Sequence, residues 1–404
     1  MKHIIIGSGI TGLYLAYKLI TKNITSPHNI IIIEKSKTYG GRIQTFKYKG
    51  FSYDVGAGRL ANKHKFVMQL IQELNLNDYI IPINPNKNYF INGKLLHEQQ
   101  LLKYYKSQFT SLKDLWQYAI NHKSTIILTN FNLHNYFSTF LSTNDIKILE
   151  ISFGYITEMY KMNAYDAIKT LKNDFDVQDN DFFILKGGLS NLTNKLYQFL
   201  ILNNVQFLFN TTLLNITQNT IQTTKDTLQF HKLYITIPKN NYITIPYFQD
   251  KLHLFDSVHT GKLLRIYAKF DTQHNTWIKN IRKTLTDNKL QFIIPISNKD
   301  GLIQISYTDD YNAEFWNNLN NTQTKLLIQK LLLEIFPNVT QPQWITKHFW
   351  DSGSHFWKIG VKSTQIQKQI KLITNKDNIH ILGETYSSKQ AWIEGSLETV
   401  QHIL

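Results

Sequence analysis

The chain has 404 residues, 42% of them hydrophobic, which is more apolar content than a single small core requires, so two domains are expected. The formal net charge is +15, but the lysines are scattered along the chain, and this pattern argues against nucleic-acid binding. There is no cysteine, which excludes disulfides, thiolate metal sites, a cysteine nucleophile and a flavin tethered through cysteine sulfur. The absence of cysteine fits a reducing compartment, and we expect a cytoplasmic protein.

The N-terminal segment predicts a βαβ unit. A strand at 2–6 leads into a glycine turn and a helix at 12–21, and an apolar strand follows at 30–33. The apolar stretch 4–20 is hydrophobic enough to be mistaken for a signal or membrane segment. Because glycines interrupt it and no cleavage pattern follows, we interpret it as strand, turn and helix, and we expect a soluble protein.

Helix and strand patterns then alternate without a linker. Helical patterns cover 112–120, 145–160, 189–200 and 322–336; strand patterns cover 205–209, 213–217, 220–224, 228–237, 263–270, 301–307 and 378–382; a last helix begins near Trp392. We infer a discontinuous nucleotide-binding domain with two insertions that form a second domain. The nucleotide-binding domain is assigned to 1–80, 186–260 and 376–404, and the second domain to 81–185 and 261–375.

The segment Gly7–Gly12 has the spacing of a phosphate-binding turn between a strand and a helix. Gly7 permits the tight turn, Gly9 lets the backbone approach a pyrophosphate, and Gly12 permits close helix packing. Glu34 ends the next strand, where a carboxylate accepts hydrogen bonds from ribose hydroxyls. Together these features predict a dinucleotide site.

Arginine is rare in this chain, because 40 of its 44 basic residues are lysine. The arginines are Arg42, Arg59, Arg265 and Arg282. Where lysine serves, this composition supplies lysine, so each arginine is a candidate for a position that needs a planar guanidinium with several fixed donors. Three of the four lie in motifs.

Those motifs resemble the flavin amine oxidase and L-amino-acid oxidase superfamily. The resemblance rests on Gly40–Arg42, on the strand 209–213 and on the C-terminal segment 381–396. It implies an α/β fold, with an FAD-binding Rossmann-like domain of the GR2 type and an inserted α+β substrate domain, and it implies FAD held without a covalent bond. The cofactor-binding residues that it implies are Gly7, Gly9, Gly12, Glu34, Gly41, Arg42, Ala57, Gly58, Leu213, Gly383, Glu384 and Ile393.

The segment 54–64 is similar to the L-amino-acid oxidase branch of that superfamily. The resemblance implies that Arg59 forms a bidentate pair with a substrate carboxylate, a task that suits the fork of a guanidinium. The alternative is that Arg59 contacts a phosphate or an internal acid.

The strand 262–270 resembles the one that presents an active-site lysine in the family, and here the chain departs from the pattern. The aligned residue is Arg265, and Lys262 does not replace it, because an odd offset along a strand reaches the opposite face. Arginine has no readily lost proton, so we do not expect it to act as a base. Binding an anionic group and positioning water are the roles left open.

The segment 350–357 resembles the family's substrate-lining strand. Trp392 would form one aromatic wall of the substrate site, opposite His355 or Trp357. The alternative for each tryptophan is core packing, and for His355 it is a structural hydrogen bond.

The resemblance implies oxidation of a carbon–nitrogen bond in an amine or L-amino acid, with O2 as the acceptor and H2O2 as a product. This chemistry is carried by the cofactor and needs no metal site, and the sequence contains no metal-ligand cluster. Two alternatives stay open: another flavin reaction such as desaturation or porphyrinogen oxidation, and a non-catalytic binding or structural protein on the same fold. The expected partners are a small-molecule substrate and O2, and the sequence does not determine the oligomeric state.

Overall fold

The computed structural model describes residues 1–174, 182–375 and 378–404. The strands are β1 (His3–Ile6), β2 (Ile30–Ile33), β3 (Thr45–Tyr48), β4 (Phe51–Asp54), β5 (Leu60–Ala61), β6 (Ile80–Pro82), β7 (Lys87–Ile91), β8 (Lys94–Leu96), β9 (Phe182–Leu185), β10 (Gln206–Leu208), β11 (Leu213–Ile216), β12 (Thr220–Thr223), β13 (Thr227–Gln229), β14 (Lys232–Ile235), β15 (Val258–Lys269), β16 (Lys283–Thr286), β17 (Phe292–Ser297), β18 (Leu302–Asp309), β19 (Trp344–Trp357) and β20 (Ile379–Ile381).

The helices alternate with these strands along the chain. They are α1 (Ile10–Thr21), α2 (Lys65–Glu73), α3 (Glu98–Tyr104), α4 (Leu112–Asn121), α5 (Leu133–Phe137), α6 (Thr143–Phe153), α7 (Ile156–Tyr160), α8 (Ala164–Asp174), α9 (Ser190–Leu202), α10 (Leu252–Phe255), α11 (Asp310–Asn318), α12 (Asn321–Leu333), α13 (Ser363–Asn375) and α14 (Ile393–Gln401).

The chain divides into two compact units, each assembled from separate segments. Unit 1 contains residues 1–83, 181–260 and 354–404, and unit 2 contains residues 84–180 and 261–353. The sequence placed the last change of domain at 376, whereas the structure places it at Ser354. The reason is packing: Ile370 of α13 lies in the same apolar cluster as Ile379 of β20, so α13 belongs to unit 1.

A five-stranded parallel sheet forms the centre of unit 1, in the order β10-β2-β1-β14-β20. Alternate isoleucines of β2 enter different cores: Ile30 and Ile32 lie in one cluster, with residues of α1, α9 and α14, whereas Ile31 and Ile33 lie in another. A parallel strand covered on both faces needs an uninterrupted apolar run, which explains the four consecutive isoleucines. The predicted βαβ unit is thus formed.

The predicted strand 228–237 is two strands in the structure. β13 pairs antiparallel with β12 in a three-stranded sheet, whereas β14 pairs parallel with β1 in the central sheet. The alternation of apolar residues shifts at the two consecutive polar residues His231 and Lys232, and the single predicted strand passed over that break.

A seven-stranded sheet forms the centre of unit 2, in the order β19-β15-β18-β17-β16-β7-β8. Its pairings include antiparallel β15–β18 and β17–β18 and parallel β16–β7. One face buries Leu264, Ile266 and Ala268 against Trp316 of α11 and Ile328 of α12. This is the α+β arrangement that the sequence predicted for the second domain.

The predicted helix 145–160 is broken in the structure. Gly154 takes a left-handed conformation with φ of 76°, so α6 ends there and α7 begins at Ile156. A Cβ at Gly154 would lie 2.5 Å from Cζ of Phe292, so a side chain there would meet both strain and a clash.

No helix in the described ranges is both long enough and apolar enough to cross a membrane.

Candidate active site

The glycine turn of unit 1 is shaped by two tight approaches, at Gly7 and at Gly12. Gly7 has φ of 107°, and a Cβ there would lie 2.7 Å from Oγ1 of Thr236. A Cβ at Gly12 would lie 2.0 Å from the carbonyl oxygen of Gly7. Gly9 is the N-cap of α1 and supplies no side-chain hydrogen bond, and the first turn has no acidic residue. The start of α1 therefore suits an anionic ligand.

A second glycine turn lies against the first. The amide of Gly40 donates to the carbonyl oxygen of Ser8 at 2.9 Å, and Gly40 also forms a β-bridge with Gly9. Gly41 has φ of 57°, and a Cβ there would lie 3.2 Å from Cα of Gly9. Only glycine permits this approach of the two backbones, which holds Arg42 close to the phosphate-binding turn.

Glu34 links the turn to the edge of the central sheet. Its Oε2 accepts from the amide and the hydroxyl of Ser8, each at 2.9 Å, and its Oε1 accepts from the amide of Ser36 at 2.9 Å. The amide of Thr211 donates to the carbonyl oxygen of Glu34 at 3.0 Å, which brings the segment before Leu213 to the same place. Glu34 and Leu213, two of the predicted cofactor-binding residues, thus lie close to each other although β2 and β11 belong to different sheets.

Glu384 joins three distant parts of unit 1. Its Oε1 accepts from Nη1 of Arg42 at 2.6 Å and from Nδ1 of His355 at 2.6 Å. Its Oε2 accepts from the amide of Ala391 at 3.0 Å, just before α14 begins. One carboxylate therefore positions Arg42, the end of β19 and the approach to α14.

The protonation states in this group follow from burial and charge. Burial by itself would raise the pKa of Glu384, but the positive charge of Arg42, with hydrogen bonds from His355 and the Ala391 amide, holds that pKa well below its ordinary value. Burial lowers the pKa of His355. Glu384 is thus a carboxylate at neutral pH, and His355 is a neutral imidazole that donates to it.

Gly383 brings the C-terminal segment to the start of α1. It has φ of 120°, its amide donates to Oγ1 of Thr399 at 2.9 Å, and a Cβ there would lie 3.6 Å from Oγ1 of Thr11. Three separated segments thus meet around one helix start.

These residues fit a dinucleotide. The start of α1 and the guanidinium of Arg42 are suited to two phosphates, and the carboxylate of Glu34 is suited to ribose hydroxyls. Gly383 lies next to Thr11, Glu384 contacts Arg42, and Ile393 at the start of α14 shares an apolar cluster with residues of α1, so all three are placed to contribute to the same site.

Arg59 lies on an aromatic shelf, which we define as Phe182 and Trp392. Its Cζ lies 4.5 Å from the ring centroid of Phe182 and 5.5 Å from that of Trp392. The two rings are nearly parallel, with an interplanar angle of 6° and centroids 5.9 Å apart. Aromatic faces attract a guanidinium and fix its plane. The amide of Ala57, two residues before Arg59, donates to the carbonyl oxygen of Arg42 at 2.9 Å. This hydrogen bond connects the segment of Ala57 and Gly58 to the second glycine turn.

The sequence analysis did not single out Phe182. The residue belongs to β9, which pairs antiparallel with β5 so that Phe182 lies opposite Ala61, two residues from Arg59. The available signal was an apolar strand just before the Gly187–Gly188 turn, and apolar strands are too common to identify a site residue. Only the pairing of β9 with β5 brings Phe182 to the guanidinium.

Glu394 caps a helix that is distant in sequence. Its carboxylate accepts from the amides of Phe66 at 3.2 Å and Val67 at 3.0 Å, at the start of α2. The N-cap residue of α2, His64, supplies no side-chain cap, and its ring lies 4.9 Å from that of Trp392 in an edge-on arrangement. Glu394 therefore ties α2 to α14 next to the shelf.

Two residues expected to line the substrate site are fully buried. Nε1 of Trp357 donates to the carbonyl oxygen of Ser387 at 3.3 Å, and its ring lies in an apolar core cluster. His355 donates to Glu384. These positions favour the packing alternative for Trp357 and the structural hydrogen bond for His355. The ring of Phe182, which the sequence analysis did not consider, stacks on that of Trp392.

Arg265 lies in unit 2 and is 7% exposed. It pairs with Tyr307 across β15 and β18, and its Cζ lies 4.7 Å from the centroid of the Tyr307 ring. Burial, and next the charge of Arg265, lower the pKa of His348 to about 4. Arg265 thus carries a permanent positive charge beside a neutral histidine.

The fold of unit 1 and its two glycine turns define a dinucleotide-binding protein. A family model described as flavin containing amine oxidoreductase matches residues 10–400. The chain belongs to this family, as its motifs indicated. Membership implies FAD as the cofactor and identifies the protein as an oxidoreductase.

Curated relatives match parts of the chain. An L-amino-acid oxidase of Sistrurus catenatus edwardsii is 27% identical over 241 residues, which are 54% of this chain and 45% of that protein. The coproporphyrinogen III oxidase of Bacillus subtilis (strain 168) is 32% identical over 101 residues, which are 24% of this chain and 21% of that protein. The matched segments thus span less than half the length of these relatives.

Solved structures match the whole fold. The cyclohexylamine oxidase of Brevibacterium oxydans IH-35A superposes with a TM-score of 0.77 at 15% identity, over 99% of this chain and 97% of that one. A putrescine oxidase variant superposes with a TM-score of 0.79 at 14% identity, over 100% and 97%. At these identities the likeness establishes the shared fold and confirms the predicted fold class.

Proposed function

We propose that the protein oxidises the carbon–nitrogen bond of an L-amino acid, with O2 as the final acceptor. The observation that supports this most directly is Arg59, held by Phe182 and Trp392 in the unit that contains the dinucleotide site. A guanidinium that lies beside aromatic rings is suited to present its edge to a carboxylate, where it forms two parallel hydrogen bonds. The partial similarity to an L-amino-acid oxidase points the same way.

In the proposed reaction, the substrate loses two electrons and two protons and becomes an imine. Bound FAD supplies the two-electron acceptor, which O2 then restores while being reduced to H2O2. Water hydrolyses the imine to a keto acid and ammonia. Arg59 binds the substrate carboxylate, and the shelf positions its guanidinium. Glu384 orients Arg42 and the approach to α14.

The test is anaerobic reduction of the purified yellow protein. L-amino acids and their decarboxylated amines are added in turn while the visible absorption is followed, and air is then admitted with an assay for H2O2. We expect amino acids to bleach the flavin faster than the amines, and we expect stoichiometric peroxide on reoxidation. Faster reduction by the amines would reassign the substrate class to amines.

The similarity to coproporphyrinogen III oxidase defines a second candidate. Porphyrinogens carry carboxylates but no oxidisable primary amine. A protein that oxidises coproporphyrinogen and whose flavin is reduced by neither amines nor amino acids would replace the proposed reaction with this one.

We also propose that FAD is bound without a covalent link, because the chain has no cysteine for a thioether. Acid precipitation should release the yellow chromophore into the supernatant. Colour that stays in the pellet would contradict this part of the proposal.

A further inference from the structure

Ala391 has a backbone conformation that alanine rarely adopts. Its φ is 64°, in the left-handed region, and it lies immediately before Trp392 of the shelf. In the described ranges, every other non-glycine residue with positive φ is asparagine, aspartate, glutamine or lysine. Asparagine and aspartate side chains hydrogen-bond to nearby backbone in this region, whereas the methyl group of alanine cannot. The conformation of Ala391 is therefore imposed by the residues around it, as is typical of functional sites.

The residues 390–392, which we call the Ala391 turn, are held by three hydrogen bonds. Gln390 is 2% exposed. Its Oε1 accepts from the amide of Trp357 at 2.8 Å, and its Nε2 donates to the carbonyl oxygen of Thr385 at 2.6 Å. The amide of Ala391 itself donates to Oε2 of Glu384 at 3.0 Å. Both polar atoms of the Gln390 side chain are thus used to fasten the turn to β19 and to the segment that follows Glu384.

The packing after the turn leaves α14 little freedom to move. Gly395 lies in the first turn of α14, and a Cβ there would lie 2.2 Å from the carbonyl oxygen of Lys389. Trp392 is 9% exposed, and its ring stacks on that of Phe182 and lies edge-on to that of His64. Because α14 is in direct contact with the segment before the turn, another conformation at residue 391 would displace the Trp392 ring from Phe182.

We propose that Gln390 and Ala391 are positioning residues for carboxylate recognition, because they hold Trp392 in the shelf on which the guanidinium of Arg59 lies. The inference rests on the proposed function, in which Arg59 binds the substrate carboxylate. Cζ of Arg59 lies 5.5 Å from the centroid of the Trp392 ring, so a displaced ring removes one of the two aromatic contacts that position the guanidinium. Amines have no carboxylate for Arg59 to bind, so the turn affects the choice of substrate.

The first experiment measures the position of Trp392 without turnover. The holoprotein is labelled with 5-fluorotryptophan, and the fluorine resonance of Trp392 is identified by its loss in Trp392→Phe. We expect one resonance for this residue in the wild type. Gln390→Ala removes two of the hydrogen bonds, and the left-handed conformation of alanine is intrinsically disfavoured by roughly five- to thirtyfold. A second Trp392 resonance should then carry roughly half of the intensity or more, even with the bond to Glu384 retained.

Glycine at position 391 provides the sharpest comparison. Glycine adopts the left-handed conformation about as readily as the right-handed one, so Ala391→Gly should keep the single resonance, and Ala391→Gly combined with Gln390→Ala should recover it. The matched controls are Gln206→Ala, at an exposed glutamine of the same unit, and Asn204→Gly, at a residue of that unit with φ of 59°. Both should leave the Trp392 resonance unchanged. A single resonance in Gln390→Ala would overturn the proposal, as would a second one that persists in the double variant.

Ala391→Val decides the same question if Gln390→Ala does not fold. Ala391 is exposed, so a larger side chain there changes the backbone preference and leaves the core packing intact. A β-branched residue disfavours positive φ more strongly than alanine does, so Ala391→Val should populate the second Trp392 resonance, whereas Ala391→Gly should not. Identical spectra of these two variants would overturn the proposal.

A second experiment tests the effect on the choice of substrate. In Gln390→Ala, KM for L-amino acids should rise roughly twofold or more, in proportion to the fraction of displaced Trp392. KM for the matching amines and the affinity for FAD should change little, and adding Ala391→Gly should restore KM. An equal rise of KM for amino acids and amines would overturn the proposal. If neither class reduces the flavin, the proposed function fails, while the fluorine spectra still decide whether the Ala391 turn positions Trp392.

Discussion

Arg42 and Glu384 are 342 residues apart in sequence and form an ion pair at 2.6 Å in unit 1. The side chain of Glu384 is 6% exposed and that of Arg42 is 29% exposed, so solvent screens the pair only in part. The same carboxylate accepts from His355 and from the Ala391 amide. The pair therefore connects the second glycine turn to the segment that leads into the last helix.

Replacing Arg42 with lysine should weaken FAD binding. A lysine keeps one charge but cannot contact both Glu384 and a phosphate through a planar fork, so we expect the dissociation constant to rise by roughly tenfold. The measurement is a fluorescence titration of apoprotein with FAD. Arg282→Lys is the matched control, and an FAD affinity in Arg42→Lys equal to that of the wild type would place Arg42 outside the cofactor site.

Glu384→Gln should lower stability in a pH-dependent way. Removing the charge leaves Arg42 with a weaker partner, and breaking a buried pair costs about 3 kcal/mol at pH 7. Because the folded pKa of Glu384 is depressed, its contribution is complete above the ordinary carboxyl value of 4.5 and is lost as the pH falls towards the folded value. Denaturant unfolding at neutral and acidic pH should show the free energies of unfolding of the wild type and Glu384→Gln approaching each other as the pH falls below 4.5. The exposed residue Glu334 serves as the control, through Glu334→Gln, and a difference that is constant with pH would contradict the assignment.

Arg59→Ala should affect amino acids and amines differently. Losing one charge-assisted contact with a carboxylate costs roughly 2 to 5 kcal/mol, so kcat/KM for L-amino acids should fall by roughly a hundredfold or more, and kcat/KM for the matching amines should change little. Steady-state kinetics on matched pairs of substrates provides the measurement. Equal impairment on both classes would reject a carboxylate role for Arg59.

Phe182 should support Arg59 through its ring. Phe182→Leu removes a cation–π contact worth roughly 0.5 to 2 kcal/mol, so we expect KM for amino acids to rise by about two- to thirtyfold, with kcat and FAD affinity nearly unchanged. Phe182→Tyr keeps the ring and should restore the wild-type KM. The control is Phe46→Leu, at a partly exposed phenylalanine of the same unit. A loss of kcat without a change in KM would indicate a different role.

Glu394→Gln should destabilise the start of α2. The carboxylate accepts from two amides of that helix, so losing its charge should lower the free energy of unfolding by about 1 kcal/mol. Hydrogen exchange of the Phe66 and Val67 amides should accelerate as well, because these amides would lose their charged acceptor. Unchanged exchange at those amides would show that Glu394 does not cap the helix.

A ladder of rings on the central sheet predicts acid sensitivity. His3, Tyr234 and His380 stack in turn, with centroid separations of 6.0 Å and 5.3 Å. Burial, and next the charge of Lys232, lower the pKa of each histidine from 6.5 to about 4. A lowered pKa stabilises the fold above 6.5, and that contribution is lost as the pH falls towards 4.

The corresponding measurement compares unfolding at pH 7 and pH 5. We expect His3→Gln to reduce the pH-dependent loss of stability by about 1 to 2 kcal/mol, because the variant no longer gains a proton on unfolding. His28 is exposed, so His28→Gln should leave the pH dependence as it is in the wild type. If the free energy of unfolding falls by the same amount between pH 7 and pH 5 in His3→Gln and in the wild type, His3 does not contribute to the acid sensitivity.

The amino-acid sequence by itself determined the local elements. The four consecutive isoleucines of β2 specify a buried parallel strand through their hydrophobic pattern. The glycines of Gly7–Gly12 specify a phosphate-binding turn through the backbone conformations they allow. Both properties depend only on residues that are close in sequence. Family motifs added Arg42, Glu384 and Arg59. The sequence predicted one helix across Gly154 and one strand across His231 and Lys232, and the structure breaks both elements at these residues.

Tertiary structure decided which of these residues meet. Phe182 reaches Arg59 because β9 pairs with β5, Glu394 caps α2 across more than three hundred residues, and His355 turns to Glu384 rather than to an open site. Strand pairing places Tyr267 of β15 opposite Gln304 of β18, and both are buried. Each of these contacts depends on strand pairing or helix packing between segments far apart in the chain, and the local pattern of side chains does not specify such pairings.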